Sequence, residues 1–80
     1  MIYTYLLKSL QDGSYYVGIS KIPESRTIQH NKGESAYTKE KRPWKLVYQK
    51  VHTDYSAARK HELWLKKKNR LYKMGLELAG

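Results

Sequence analysis

Tyr3-Thr4-Tyr5-Leu6-Leu7-Lys8-Ser9-Leu10-Gln11-Asp12-Gly13-Ser14-Tyr15-Tyr16-Val17-Gly18 is the stretch that decides the fold. Residues 2–8 and 14–19 are rich in the aromatic and branched side chains that suit a pleated strand. Asp12-Gly13 between them is a tight-turn dipeptide, so the two segments pair as an antiparallel hairpin. Side chains directly opposite share a face, and faces alternate along each strand. With a two- or four-residue turn, Tyr5, Leu7, Tyr16 and Gly18 line one face, and Thr4, Leu6, Tyr15 and Val17 line the other. Gly18 beside Tyr16 leaves a gap into which backbone or ligand can come close.

Beyond the hairpin, Pro23 suits the first turn of a helix that Gly33 closes near Asn31. Residues 33–43 read as a basic loop, and residues 44–51 as a third strand entered from Pro43. Thr53 or Asp54 can cap a second helix over residues 55–69. A further helical turn or two runs to Met74, with Gly75 as its stop. The order β-β-α-β-α-α predicts an α+β domain in which helices cover a small sheet. The pattern does not fix the place of the third strand.

Eighty residues make one expected domain, residues 1–80, near the lower limit for a core without staples. There is no cysteine, which excludes disulfide support and predicts a reducing, cytoplasmic location. No apolar stretch approaches the ~18–20 residues of a membrane span, and the first residues lack a signal-peptide pattern. Sixteen Lys and Arg against seven acids give a net charge of +9. The charge is clustered and no long apolar helical face accompanies it, which favours nucleic acid over a membrane surface as partner. All eight aromatic hydroxyl side chains are Tyr and there is no Phe, so several hydroxyls need partners, water or a ligand.

Arg26 and His30 are four apart and share one face of the first helix. The planar guanidinium of Arg26 suits a phosphate because it donates two hydrogen bonds at once; unaided, it is a solvated charge. His30, in the last turn, also complements the helix dipole. Glu62 is the only acid between Asp54 and Glu77, among Arg59, Lys60, Lys66, Lys67, Lys68, Arg70 and Lys73. Its helical stripe with Ala58, Leu65 and Tyr72 faces the sheet, and a carboxylate there must be paired, coordinated or functional. A salt bridge to Lys66 is the bland reading. A Mg²⁺ ligand is the sharper one, since Mg²⁺ often takes one protein carboxylate and fills its other positions with water and phosphate oxygens. Lys39, Lys41, Arg42, Lys45, Lys66, Lys67 and Lys68 would supply salt-dependent phosphate contacts. Trp44 and Trp64 can each stack on an unpaired base, although both read as core residues.

Taken in order, these pieces resemble the GIY-YIG nuclease domain, which includes the catalytic domains of intron-homing endonucleases and the N-terminal module of an excinuclease. The resemblance covers residues 2–72, with Tyr3-Thr4-Tyr5 as first motif and Tyr16-Val17-Gly18 as second. Arg26 and His30 follow at the family's offsets, and residues 58–66 look like its glutamate helix. Tyr37-Thr38, Arg42-Pro43-Trp44 and Leu46-Val47-Tyr48 look like the small stand-alone branch. The resemblance implies a three-stranded antiparallel sheet flanked by helices, with the site on one sheet face. It implies a divalent-metal-dependent endonuclease acting on DNA in preference to RNA, on branched, nicked or damaged forms as in repair or recombination. Tyr5 would be general base or orienter of the attacking water, Tyr16 would share that work, and Arg26 would hold the scissile phosphate. His30 would assist in proton transfer or phosphate positioning, and Glu62 would hold one Mg²⁺ or Mn²⁺ ion. A protein partner or a second copy would add DNA affinity. The alternative is a catalytically silent, basic nucleic-acid-binding module of the same fold.

Overall fold

The computed structural model describes residues 1–79. Its strands are β1 (Ile2–Ser9), β2 (Tyr15–Ser20) and β3 (Trp44–His52), and its helices are α1 (Pro23–Asn31), α2 (Tyr55–Lys66) and α3 (Arg70–Ala79), with a short 3-10 turn at Lys39–Lys41. The sheet is antiparallel in the order β2-β1-β3. The third strand therefore takes the free edge of β1. The α+β, three-stranded expectation is met.

The hairpin turn has four residues. Ser9 N donates to Ser14 O at 2.8 Å, and Gly13 N donates to Ser9 O at 2.9 Å. That length pairs Tyr5 with Gly18 and Leu7 with Tyr16, which gives the face assignment predicted from parity. Between β1 and β3 the register shifts at Leu6/Leu7, where Val47 is the extra residue of a bulge.

Each face of the central strand has its own core. Tyr5, Leu7 and Trp44 are buried on one, with Tyr16 and Leu46 packed against them. This face is covered by α1 and the segment after it. Asn31 clamps the end of α1 to β3 by donating to Trp44 O at 2.9 Å and accepting from Trp44 N at 2.6 Å. Leu6, Val17 and Leu65 form the other core, joined by Tyr15, Val47, Tyr48 and Leu76. Here α2 and α3 cover the sheet, and the buried Thr4 hydroxyl donates to Ala58 O at 3.0 Å.

Most helix ends follow the expected signals. Pro23 opens α1, and Gly33, at φ 80°, closes it in a conformation that disfavours a side chain. Asp54 caps α2 by accepting from Ala57 N at 2.8 Å, a contact worth about 1 kcal/mol.

The last third of the chain corrects the sequence reading. Helix α2 stops at Lys66 rather than Asn69. Asn69 instead caps α3 by accepting from Tyr72 N at 2.9 Å. Gly75 does not stop α3, which continues to Ala79. A helical Gly costs only about 1 kcal/mol, and tertiary contacts beyond it offset that. Leu76 packs on the Leu6 core, the Tyr15 hydroxyl donates to Glu77 Oε1 at 2.7 Å, and Lys8 Nζ lies 3.3 Å from the same oxygen. Tyr72 is thus on α3 rather than on the Glu62 stripe. Trp64 is not a core residue: it is 42% exposed, stacked on His61 and covered by the Lys68 ammonium. Leu65 takes the inward position beside it. No helix is long and apolar enough to cross a membrane.

Candidate active site

Tyr5 and Tyr16 on the sheet and Arg26 and His30 on α1 lie together at β2, while Glu62 stands on α2, which covers the other face of the sheet. Tyr5 rises from the central strand and its ring lies across Gly18, toward the sheet edge. A methyl group on Gly18 would stand 2.5 Å from the Tyr5 hydroxyl and 2.6 Å from its ring carbon Cζ. The gap read into Gly18 is therefore filled by this phenol. Tyr16, two residues earlier on the same face, lies 6.4 Å from the Tyr5 ring centroid and 4.8 Å from that of His30.

Helix α1 places His30 beneath these rings. Its Nε2 is 3.4 Å from the Tyr5 hydroxyl and its Nδ1 is 2.7 Å from the Thr38 hydroxyl. The imidazole is buried, so it faces the core rather than the end of the helix dipole. Burial, reinforced by the charge of Arg26, keeps its pKa below the ordinary histidine value. His30 is therefore neutral at physiological pH. Arg26, one turn earlier, is exposed and lines with His30, Gln29, Glu34 and Ser35 a cavity of about 190 Å³.

Glu62 projects from α2 and is buried, as its stripe predicts. Its two oxygens are shared between two cations. Oε1 accepts from Arg59 Nη1 at 2.7 Å, and Oε2 lies 3.2 Å from Lys66 Nζ. The expected Lys66 pair is present, and Arg59 is a partner the sequence reading missed.

The Tyr5 hydroxyl senses all of these groups. Burial pushes its pKa up; Arg26 lowers it, and Tyr16 and Glu62 raise it. Burial is the largest effect, so the ligand-free phenol is protonated at neutral pH. Tyr16 is only half-buried. It lines an open groove of about 500 Å³ with Tyr15, Val17, Tyr37, Lys66 and Lys73.

The basic residues divide between regions. Lys66 borders the Tyr16 groove. Lys39 and Arg42 line a second groove, of about 440 Å³, with Gln11, Asn31, Glu40 and Pro43. Lys41 pairs with Asp12 at 3.6 Å, Lys45 and Lys67 are exposed, and Lys68 covers the Trp64 and Tyr72 rings. Tyr37, Thr38 and Lys73 escaped notice as site residues because a loop and a late helix carry no period that places them beside β2. Trp44 Nε1, which donates to Thr38 O at 2.8 Å, is what turns that loop into the core.

Among the described residues no group of three or more His, Asp or Glu side chains converges as a metal cage. A carboxylate oxygen holding one hydrogen bond keeps a lone pair free, so Glu62 fits a single divalent ion completed by water and phosphate oxygens. It does not fit an ion held by protein alone, because Arg59 and Lys66 already outweigh its charge.

The three-stranded antiparallel sheet with helices on both faces, and the tyrosines of β1 and β2 beside α1, are the arrangement of a small nuclease-type domain. The chain belongs to the GIY-YIG family: the family model described as GIY-YIG catalytic domain matches residues 1–75. Members of this family act on nucleic acid. Within it the chain is similar to a UPF0213 protein of Staphylococcus saprophyticus, 44% identical over 79 residues that make up 98% of this chain and 95% of the relative. A UPF0213 protein of Staphylococcus epidermidis is 42% identical over the same shares, and one of Staphylococcus aureus is 40% identical over 92% of this chain and 90% of its own. No solved structure is a significant match.

Proposed function

We propose that the chain is a divalent-metal-dependent endonuclease that hydrolyses phosphodiester bonds in DNA, with Tyr5, Tyr16, Arg26, His30 and Glu62 as its site. The observation that supports this reading is the cluster of Tyr5, Tyr16 and His30 beside Arg26: His30 Nε2 is 3.4 Å from the Tyr5 hydroxyl, and exposed Arg26 lines the same cavity as His30. Exposed Arg26 suits an anion and Glu62 suits a cation, which are the two charges a metal-bound phosphate brings. Mg²⁺ or Mn²⁺ held at Glu62 would supply Lewis acidity and a more acidic bound water.

The protein's own groups divide the remaining work. Arg26 is exposed and able to donate two hydrogen bonds to the phosphate, so it stabilises the charge that builds up on the phosphorane-like transition state. Tyr16 borders the open groove and is the hydroxyl that meets substrate and attacking water. Tyr5, buried and protonated, orients that water or the phosphate by hydrogen bonding. It becomes a proton acceptor only when positive charge beside it outweighs its burial. Neutral His30 supports Tyr5 from below. Lys66 and Lys73 lie along the groove where the flanking backbone would run, and Lys39 and Arg42 offer a separate phosphate-binding surface.

A second reading, a silent nucleic-acid-binding module, is favoured by one observation. Both oxygens of Glu62 are already engaged by cations, so an ion must arrive with the phosphate that offsets this charge. Nicking of supercoiled plasmid in Mg²⁺ and Mn²⁺ separates the two. The nuclease reading expects metal-dependent nicking by the native protein and at least a hundred-fold loss in Glu62→Ala, Arg26→Ala and Tyr5→Phe. DNA binding with no cleavage in either metal would favour the silent module.

A further inference from the structure

We propose that Thr38 is a positioning residue for the tyrosine site: its hydroxyl holds the His30 ring so that Nε2 faces the Tyr5 oxygen. The three side chains form a line from the loop to the centre of the sheet. The Thr38 hydroxyl is 2.7 Å from His30 Nδ1, and His30 Nε2 is 3.4 Å from the Tyr5 hydroxyl. All three residues are essentially inaccessible to solvent, at 0% for Thr38, 2% for His30 and 0% for Tyr5.

The short bond fixes the long one. At 3.4 Å the histidine–tyrosine contact is near the limit of a hydrogen bond, where a small ring rotation ends it. The Thr38 bond restrains that rotation at the opposite nitrogen. Thr38 is itself anchored, because its carbonyl accepts from Trp44 Nε1 at 2.8 Å and from Lys41 N at 3.2 Å. Among the described residues the Thr38 hydroxyl has no other hydrogen-bond partner, so its orientation serves His30 alone.

The chemistry of a hydroxyl matters here. A carboxylate or carbonyl at this position accepts only and would hold the proton on Nδ1. A hydroxyl both donates and accepts, so the ring stays aligned whichever nitrogen carries its single proton. Nε2 then meets Tyr5 either as acceptor from the phenol or as donor to its oxygen, and no proton leaves the ring. The Tyr16 ring from β2 packs against His30, and Arg26, Gln29, Glu34 and Ser35 line the cavity beside it; among the described residues Thr38 is the hydrogen-bond partner of Nδ1.

The catalytic consequence rests on the nuclease reading, whereas the alignment does not. The test measures both, on the full chain. By nitrogen-15 NMR, Thr38→Val should move the His30 Nδ1 resonance and Thr38→Ser should restore it, while Tyr5→Phe should move the Nε2 resonance. In plasmid nicking, Thr38→Val should lower kcat at least ten-fold with DNA affinity unchanged, and Thr38→Ser should return it to within about three-fold of the native rate. An Nδ1 resonance indifferent to Thr38→Val, or native nicking by that variant, overturns the proposal. Should Thr38→Val fail to fold, an Nε2 resonance unmoved by Tyr5→Phe overturns it equally. Absence of nicking by the native protein would instead defeat the nuclease reading, with the NMR result still deciding the alignment.

Discussion

Tyr5 and Gly18 face each other across β1 and β2, and the phenol of one occupies the space where the other would carry a side chain. A methyl on Gly18 would stand 2.5 Å from the Tyr5 hydroxyl, and the ring, packed against Leu7 and Trp44, has little room to retreat. Gly18→Ala should destabilise the fold by about 1–3 kcal/mol, as overpacking of a filled core does, and should displace the Tyr5 hydroxyl from His30. Chemical denaturation checks the first effect and plasmid nicking the second. Native stability and native nicking in Gly18→Ala would show that the close approach is unimportant.

Glu62 cancels charge on Arg59 and Lys66, which gives it opposite effects on binding and cleavage. Glu62→Gln should tighten DNA binding, because two cations are freed for phosphates. The salt dependence of log Kd should also steepen by up to ~0.9 for each cation freed on duplex DNA. Cleavage should fall at least a hundred-fold. Fluorescence anisotropy between about 50 and 200 mM salt measures the first two. Weaker binding in Glu62→Gln would contradict the pairing's inhibitory role.

Lys73 lies on the Tyr16 groove, and burial lowers its pKa. With no acidic partner among the described residues, its ammonium is available to a phosphate in the groove. Lys73→Ala should weaken DNA binding and shallow the salt slope by ~0.9 for duplex or ~0.7 for single strands, leaving saturated nicking rates intact. Lys73→Arg should recover the affinity. An unchanged slope would remove Lys73 from the nucleic-acid surface.

Stability should fall on mild acidification. His30 and His61 both titrate below the ordinary histidine pKa, burial being the larger cause in each. Arg26 adds to it for His30, and His52 and Lys50 add to it for His61. The unfolded chain takes up protons near pH ~6.5 that the folded chain resists. The stability these histidines permit is therefore present above that pH and is lost as pH falls toward their folded values. Tm should decline between roughly pH 7.5 and 5, and His30→Gln should flatten the decline while leaving the share of His61. Asp12, held at about 2 chiefly by its hydrogen bonds from Ser14 N and Ser14 Oγ and also by Lys41, stays ionised throughout. A Tm that rises on acidification would contradict the burial of both rings.

What the sequence revealed and what it concealed follow one physical distinction. Strand parity and helix period are local, so the shared face of Tyr5 and Tyr16, the Arg26/His30 stack and the inward turn of Glu62 were all legible. Thr38 was visible only as part of a family resemblance, because Trp44 and His30, remote in sequence, draw it into the core. Asn69 read as the end of one helix but caps the next, since a cap and a helical asparagine look alike until the break is known. Gly75 read as a stop because local propensity cannot see Glu77 reaching Tyr15 and Lys8 across the sheet. The exposure of Trp64 follows from the same helical period that turns its neighbour Leu65 inward, which outweighs the reading of its large ring as core.

The central claim is that Arg26 and Glu62, on separate helices, act on one phosphodiester. A double-substitution cycle in single-turnover plasmid nicking with Mg²⁺ tests it most directly. Arg26→Ala and Glu62→Ala should each remove nearly all activity, and the double variant should be no slower than the worse single one, because residues acting as a unit are non-additive. Native-like nicking in either single variant, or losses that multiply in the double, would contradict a shared site.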